Sequence, residues 1–360
     1  MKTYFKNHIN TFYIKLLPFK IDLSARKCDH ARKLFAIVCL MAKLKCAVIG
    51  VGYLGRFHAQ KYLMLPNAEL VAVCDANKTT SEAVAQELQV PAYQDYRDLF
   101  GKVDAVSIAA TTNQHYEIAK HCLEQGIHVL IEKPITETVE QASELISLAR
   151  KNRAKLQVGH LERFNSARLA LDEHLEQPLF IESHRLAPFN PRGTDVNVIL
   201  DLMIHDIDII QTIVNSPIVN IDAQGAPVLS KSIDIANARL TFENHCVANV
   251  TASRISFKTE RKTRIFQSNS YISIDYHNKQ FAVFQKGEGE MFPGIPEITR
   301  HQSIFEKGDA LLEEIKAFID CIEKDTTPLV TGEEGRAALA TAEKITSLIN
   351  KHLVARHVSS

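Results

Sequence analysis

The chain has 360 residues, 46% hydrophobic and 23% charged, with 42 basic against 42 acidic side chains and no formal net charge. That length allows two domains with separate cores, and the balanced charge gives no bulk field to attract nucleic acid or an anionic membrane, so neither is expected as a partner. The 7 cysteines, an odd set without a C-x-x-C pair, argue against a disulfide frame or a zinc site; no metal is expected, and a reducing cytoplasm fits.

Residues 1–42 read unlike the rest. Lys2, Lys6, Lys15, Lys20, Arg26, Lys27, Arg32 and Lys33 face only Asp22 and Asp29. The apolar run at residues 34–42 is too short to span a bilayer, and the order of basic, apolar and small residues is poor for a secretory signal. Met41 stands just before the first strand. This stretch is expected to be an extension, weakly folded or produced by an upstream start; targeting or peripheral membrane contact is the alternative.

From Lys43 the pattern is regular. The apolar residues 46–49 end in Gly50, Gly52 and Gly55, a G-x-G-x-x-G turn, and an amphipathic stretch follows with Leu54, Phe57, Tyr62 and Leu65 on roughly one face. The first glycine permits the turn, the second lets backbone approach a pyrophosphate, and the third lets helix pack on strand. The amides at the helix start, Tyr53 and Leu54 among them, can then hold phosphates. A second apolar run ends in Asp75, where a carboxylate accepts from an adenosine ribose and repels a 2′-phosphate; NAD is therefore the expected cofactor. Helix and strand then alternate: a helix from Thr80, a buried strand at 103–109, a helix capped by residues 111–113, a strand at 127–131, a helix at 139–151 and a strand at 155–158. Single helices between strands predict a doubly wound parallel sheet, a Rossmann domain over 43–160, with ligands beyond the carboxyl ends of its strands. Gly50, Asp75, Ala110, Thr111, Glu132, Lys133 and His160 all fall at such ends. Lys133, before Pro134, can reach the nicotinamide ribose and a substrate hydroxyl. His115 serves as a helix cap or a nucleotide contact.

Beyond residue 161 the order changes. Residues 179–185, 219–223, 235–242, 247–255, 263–266 and 271–276 read as mostly consecutive strands, which predicts a second domain over 161–330 on a large, open, mostly antiparallel sheet. One helix, at 197–214, interrupts them. On it Asp201 and His205 are four apart and share a face, so the carboxylate can fix the histidine tautomer and raise its basicity. Such a pair suits removal of a hydroxyl proton as hydride leaves. Residues 305–325 read as one helix and 332–352 as another, the last stretch, 331–360, returning toward the nucleotide half. The fold class is thus α/β followed by α+β.

With Gly50-x-Gly52-x-x-Gly55, Glu132-Lys133-Pro134 and Asp201-x-x-x-His205 at these separations, the sequence from about residue 44 onward resembles the glucose–fructose oxidoreductase, inositol dehydrogenase and MocA family. The resemblance implies an NAD(P)-dependent enzyme acting on a sugar or cyclitol hydroxyl, with Lys133 and His205 handling the proton and Asp201 supporting. A narrower resemblance, to UDP-N-acetylglucosamine 3-dehydrogenases, rests on residues 158–165 (VGHLERFN), 188–192 (PFNPR) and the stretch from Asp195 to Asp208. It implies oxidation of the sugar 3-hydroxyl to a ketone, which a partner aminotransferase converts to a 3-amino sugar for lipid A or a surface polysaccharide. His160 and Asn165 are then expected to line the sugar site, with Arg163, Arg185 and Arg192 meeting a diphosphate through their forked donors. Met203 stands where a small residue is expected. Assembly as a homodimer or homotetramer through the second sheet is expected. The alternatives are a dehydrogenase of a free sugar, inositol or related polyol, and a catalytically silent NAD-binding regulator.

Overall fold

The computed structural model describes residues 43–190, 196–305 and 308–358. The expected extension at 1–42, and Arg192, lie outside them.

Six strands make the first sheet: β1 (Leu44–Ile49), β2 (Ala68–Cys74), β3 (Ala92–Tyr93), β4 (Ala105–Ile108), β5 (His128–Glu132) and β6 (Leu156–Gly159). Every pair is parallel, in the order β3-β2-β1-β4-β5-β6. Chain order reverses direction at β1, the switch point where such sheets bind ligand. The inner strands are apolar on both faces because helices cover both. Ala47, Ile49, Val106, Ile108, Val129 and Ile131 belong to one core, while Cys46, Val48, Ala105 and Leu130 belong to the other. The crossover helices are Tyr53–Tyr62, Lys78–Leu88, Thr112–Glu124 and Val139–Lys151. The last opens on a capping box between Thr138 and Gln141.

The second sheet has eight strands: β7 (Phe180–Leu186), β8 (Ile218–Ala226), β9 (Ile235–Phe242), β10 (Val247–Ser253), β11 (Glu260–Phe266), β12 (Ser270–Asp275), β13 (Gln280–Phe292) and β14 (Ile295–Ile304). Their order is β14-β13-β12-β11-β7-β10-β9-β8, antiparallel except where β7 meets β10. Alternation along β7 and β11 puts Ile181, Ser183 and Arg185, with Thr263 and Ile265, on a face covered by the helix Ile204–Val214. The opposite face carries Phe180, Phe266, Tyr271 and Phe284, adjacent rings being 5.0 to 5.9 Å apart across four strands.

Two features differ from the sequence-based expectation. The hairpin β13–β14 is long where no strand is predicted, and the helix expected at 305–325 begins only at Ala310, after Asp309 accepts from the Leu312 amide at 3.0 Å. The final helix, Gly332–Val358, joins the two cores: Leu339 packs with the parallel sheet, while Ala338, Ala342, Ile345 and Ile349 pack with the second.

Candidate active site

The site is built outward from the β1 turn. Gly50 has φ +82°, and a Cβ there would come 2.5 Å from the Ala110 amide nitrogen, so the two strand ends touch through bare backbone. A Cβ on Gly55 would overlap the Gly50 carbonyl oxygen. Gly52, by contrast, faces open space. The helix starting at Tyr53 has no side-chain cap and no acidic residue in its first turn, so the first amides, at Tyr53 and Leu54, are left for an anion. Glycine geometry, open space and uncapped amides together fit a pyrophosphate. Asp75 closes this corner: its carboxylate accepts from the Val51 amide and from the Asn77 amide, both at 2.9 Å. Thr111 precedes the next helix and donates to Asn113 at 2.6 Å.

His115 is buried beneath the floor of the site. Its two ring nitrogens lie 2.9 Å from the Pro134 carbonyl and 3.0 Å from the Ala110 carbonyl, bracing the β4 and β5 ends against each other. Burial lowers its pKa against the pull of those carbonyls.

Lys133 leaves the end of β5 just before the cis Lys133–Pro134 bond. Its ammonium donates to the Asp201 carbonyl at 2.8 Å and lies 3.7 Å from the Asp201 carboxylate, with 19% of the side chain exposed. Burial pushes this ammonium below the ordinary lysine range, while Asp201 and Glu132 pull it back up. Glu132 is anchored underneath. Its Oε1 lies 3.0 Å from His58 Nε2, and its Oε2 accepts from the Lys133 amide at 3.2 Å. These contacts hold the Glu132 carboxylate low despite burial. Glu314, from the helix Ala310–Glu323, completes a buried trio whose ligand-type atoms lie within 4.8 Å of one another. Both Glu314 oxygens lack a partner among the described residues, and burial, aided by the Glu132 charge, raises its pKa well above normal.

His205 projects from the first turn of the helix Ile204–Val214. Burial first, and then the charges of Lys133 and Arg185, push its pKa well below the ordinary value, so it is a neutral imidazole at pH 7. Its Nδ1 is buried without a partner among the described residues, and the His160 ring lies edge-on with centroids 6.3 Å apart. The predicted bond from Asp201 to His205 is absent. Residues Ile199–Met203 form a wide π turn rather than regular α-helix, so four-residue spacing no longer stacks the two side chains, and Asp201 turns to Lys133 instead.

Arg163 and Arg185, two of the arginines read from sequence, are held internally. Arg163 donates to Asp208 twice, at 2.6 and 2.8 Å, and to Glu334 at 3.1 Å. Arg185 donates to Asp206 at 2.7 Å and to Glu162 at 3.0 Å. A buried arginine that faced the site unpaired would carry a desolvation cost of several kcal/mol, and nearby carboxylates on the next elements remove it. Asn165 donates to Glu162 and to the Tyr276 carbonyl at 3.2 and 3.1 Å, fixing the Glu162 end of the same network. His160 is buried 4.0 Å from Asp208, both ring nitrogens unpartnered among the described residues. The sequence reading missed His58 and Glu314. Each is a polar residue on an otherwise buried helix face, a signal visible only once the faces are assigned.

Residues 44–160 match an oxidoreductase family, NAD-binding Rossmann fold, and residues 150–273 match the GFO/IDH/MocA C-terminal domain. The UDP-N-acetylglucosamine 3-dehydrogenase of Acidithiobacillus ferrooxidans is 37% identical over 85% of this chain and 97% of its own. The chain belongs to the Gfo/Idh/MocA oxidoreductases. A crystal structure of that A. ferrooxidans enzyme superposes with a TM-score of 0.81 over 86% of this chain and 98% of its own, and the Thermotoga maritima myo-inositol 2-dehydrogenase is 26% identical over 82% and 93%. As a Gfo/Idh/MocA dehydrogenase, the chain uses the first sheet for NAD. No helix among the described residues is long and apolar enough to cross a membrane.

Proposed function

We propose that the chain oxidises the 3-hydroxyl of UDP-N-acetylglucosamine to a ketone with NAD. The observation that carries this reading is a neutral His205 beside a cationic Lys133 at the mouth of an NAD fold, in a chain 37% identical over 85% of its length to a UDP-N-acetylglucosamine 3-dehydrogenase. Bound NAD supplies the hydride acceptor. The protein's part is proton handling. The His205 imidazole, held neutral by burial and by adjacent cations, accepts the hydroxyl proton, and those same cations oppose its charging, so the proton passes on readily. Lys133 donates a hydrogen bond to the reacting oxygen and steadies the negative charge that develops there. Asp201 fixes the direction of the Lys133 chain. Asp75 takes the ribose end of the cofactor, favouring NAD over NADP.

The ketone formed is suited to an aminotransferase that makes a 3-amino sugar, the class of reaction that would consume it. Assembly as a homodimer or homotetramer through the outer face of the second sheet is supported by its row of Phe180, Phe266, Tyr271 and Phe284. A screen of UDP-sugars, free sugars and inositols for NADH formation tests the reading. Activity confined to inositols, the substrate class named for the T. maritima relative, would replace it.

A further inference from the structure

Three lysine or arginine side chains act on His205, Lys133, Arg185 and Arg261, and the first two have hydrogen-bond partners of their own. Lys133 donates to the Asp201 carbonyl, and Arg185 to Asp206 and Glu162. Arg261 differs. Its closest anion is Glu162 Oε1 at 3.6 Å, an oxygen already taken by Arg185 at 3.0 Å, and 46% of its side chain is exposed. Its guanidinium makes no hydrogen bond to the described residues, while its backbone carbonyl accepts from the Tyr276 amide at 2.9 Å.

Its place in the sheet says what those donors face. Arg261 pairs directly with Arg185 in the β11–β7 ladder, and it lies on the same face as Thr263 and Ile265, both of which are buried under the helix Ile204–Val214. Two residues earlier in β11 the cover ends, so Arg261 emerges on the active-site face at the rim of that cover. Its charge adds, after burial and the charges of Lys133, Arg185 and His160, to what lowers the His205 pKa.

Resting on the nucleotide-sugar reading, we infer that Arg261 is a specificity residue that holds the substrate diphosphate, in place of Arg163 and Arg185. A sugar whose hydroxyl lies at His205 carries its pyrophosphate one ring away, toward the rim. A guanidinium with its fork of N–H groups open is matched to that dianion, whereas the paired Arg163 and Arg185 would have to break buried ion pairs to reach it. A polyol substrate has no use for such a group.

The test uses the full chain with NAD, comparing Arg261→Gln and Arg261→Lys with the parent. Affinity for UDP and for uridine, and KM and kcat for UDP-N-acetylglucosamine, are the readouts. The expected result for Arg261→Gln is a UDP affinity about tenfold weaker or more, a KM raised by a similar factor, kcat within about threefold, and unchanged uridine and NAD binding. Arg261→Lys should recover part of the loss. If the parent oxidises UDP-N-acetylglucosamine and Arg261→Gln keeps its UDP affinity and KM, the inference is overturned while the function stands. Loss of NAD binding in both variants would mark a structural role and overturn it as well. A parent that neither binds UDP nor oxidises any UDP-sugar removes the nucleotide-sugar reading, and this inference with it.

Discussion

At the scale of single residues, the proposed mechanism divides the work between His205 and Lys133. His205→Ala and Lys133→Met are each expected to lower kcat by roughly two to four orders of magnitude, the usual cost of losing acid–base catalysis. NAD affinity in His205→Ala should be unchanged; equilibrium titration of the cofactor checks this. The neutral state of His205 also fixes a pH dependence. Its folded pKa is lowered from 6.5, so the unfolded chain binds a proton that the folded chain refuses. Stability is therefore complete above about pH 6.5 and declines as pH falls below it. For catalysis, kcat should hold its plateau down through pH 6.5 and fall only below it; an acid limb at pH 7 or higher would contradict a neutral base held by burial. In the proposed mechanism Asp75 governs cofactor choice. NAD should be favoured over NADP by at least about tenfold, near 1.4 kcal/mol, and Asp75→Ala should narrow that preference mainly by weakening NAD. Comparison of kcat/KM with the two cofactors decides it.

At the scale of elements, the parallel sheet was the most legible part, because strands buried on both faces appear as unbroken apolar runs and the ligand ends follow from topology. The hairpin β13–β14 was not legible. Its distal half carries Lys286, Gly287, Glu288, Gly289 and Glu290, and β14 is exposed along nearly all its length, so ladder hydrogen bonds hold it rather than an alternating apolar face. The π turn at Ile199–Met203 was equally hidden, since nothing in a run of Ile, Leu, Asp, Leu and Met marks a widened turn, and with it the partner of Asp201 changed. Arg163 and Arg185 were found by pattern, but their internal carboxylates come from distant segments that sequence spacing does not bring together. The buried trio under Lys133 offers a test at this scale. The folded state keeps Glu314 protonated while the unfolded state releases that proton above about pH 4.5, so Glu314 makes stability fall as pH rises from there. Glu314→Gln keeps the shape and should flatten that slope, which urea titrations between pH 5 and 8 would record. Gly159→Ala would place a Cβ 3.0 Å from the Glu132 carboxylate and 3.1 Å from its Cα, and an overpacking cost of about 1–3 kcal/mol is expected together with reduced turnover.

At the scale of the whole molecule, the proposed function divides cofactor from substrate between the two sheets, and the π turn, Lys133 and the final helix tie the sheets together. The first strand begins at Leu44, and every residue assigned to the site lies beyond it. The sequence-based expectation for residues 1–42 therefore becomes a measurable one: a chain starting at Met41 should keep its melting temperature and turnover. Substrate identity is where the whole arrangement is most exposed to test. The decisive measurement is the rate of NADH formation by the purified chain with UDP-N-acetylglucosamine, with the product examined for a ketone at the 3-position. Turnover with that nucleotide sugar exceeding that with N-acetylglucosamine or myo-inositol, abolished in His205→Ala, is the expected result. Turnover of the free sugar or the inositol with none of the UDP-sugar would contradict it.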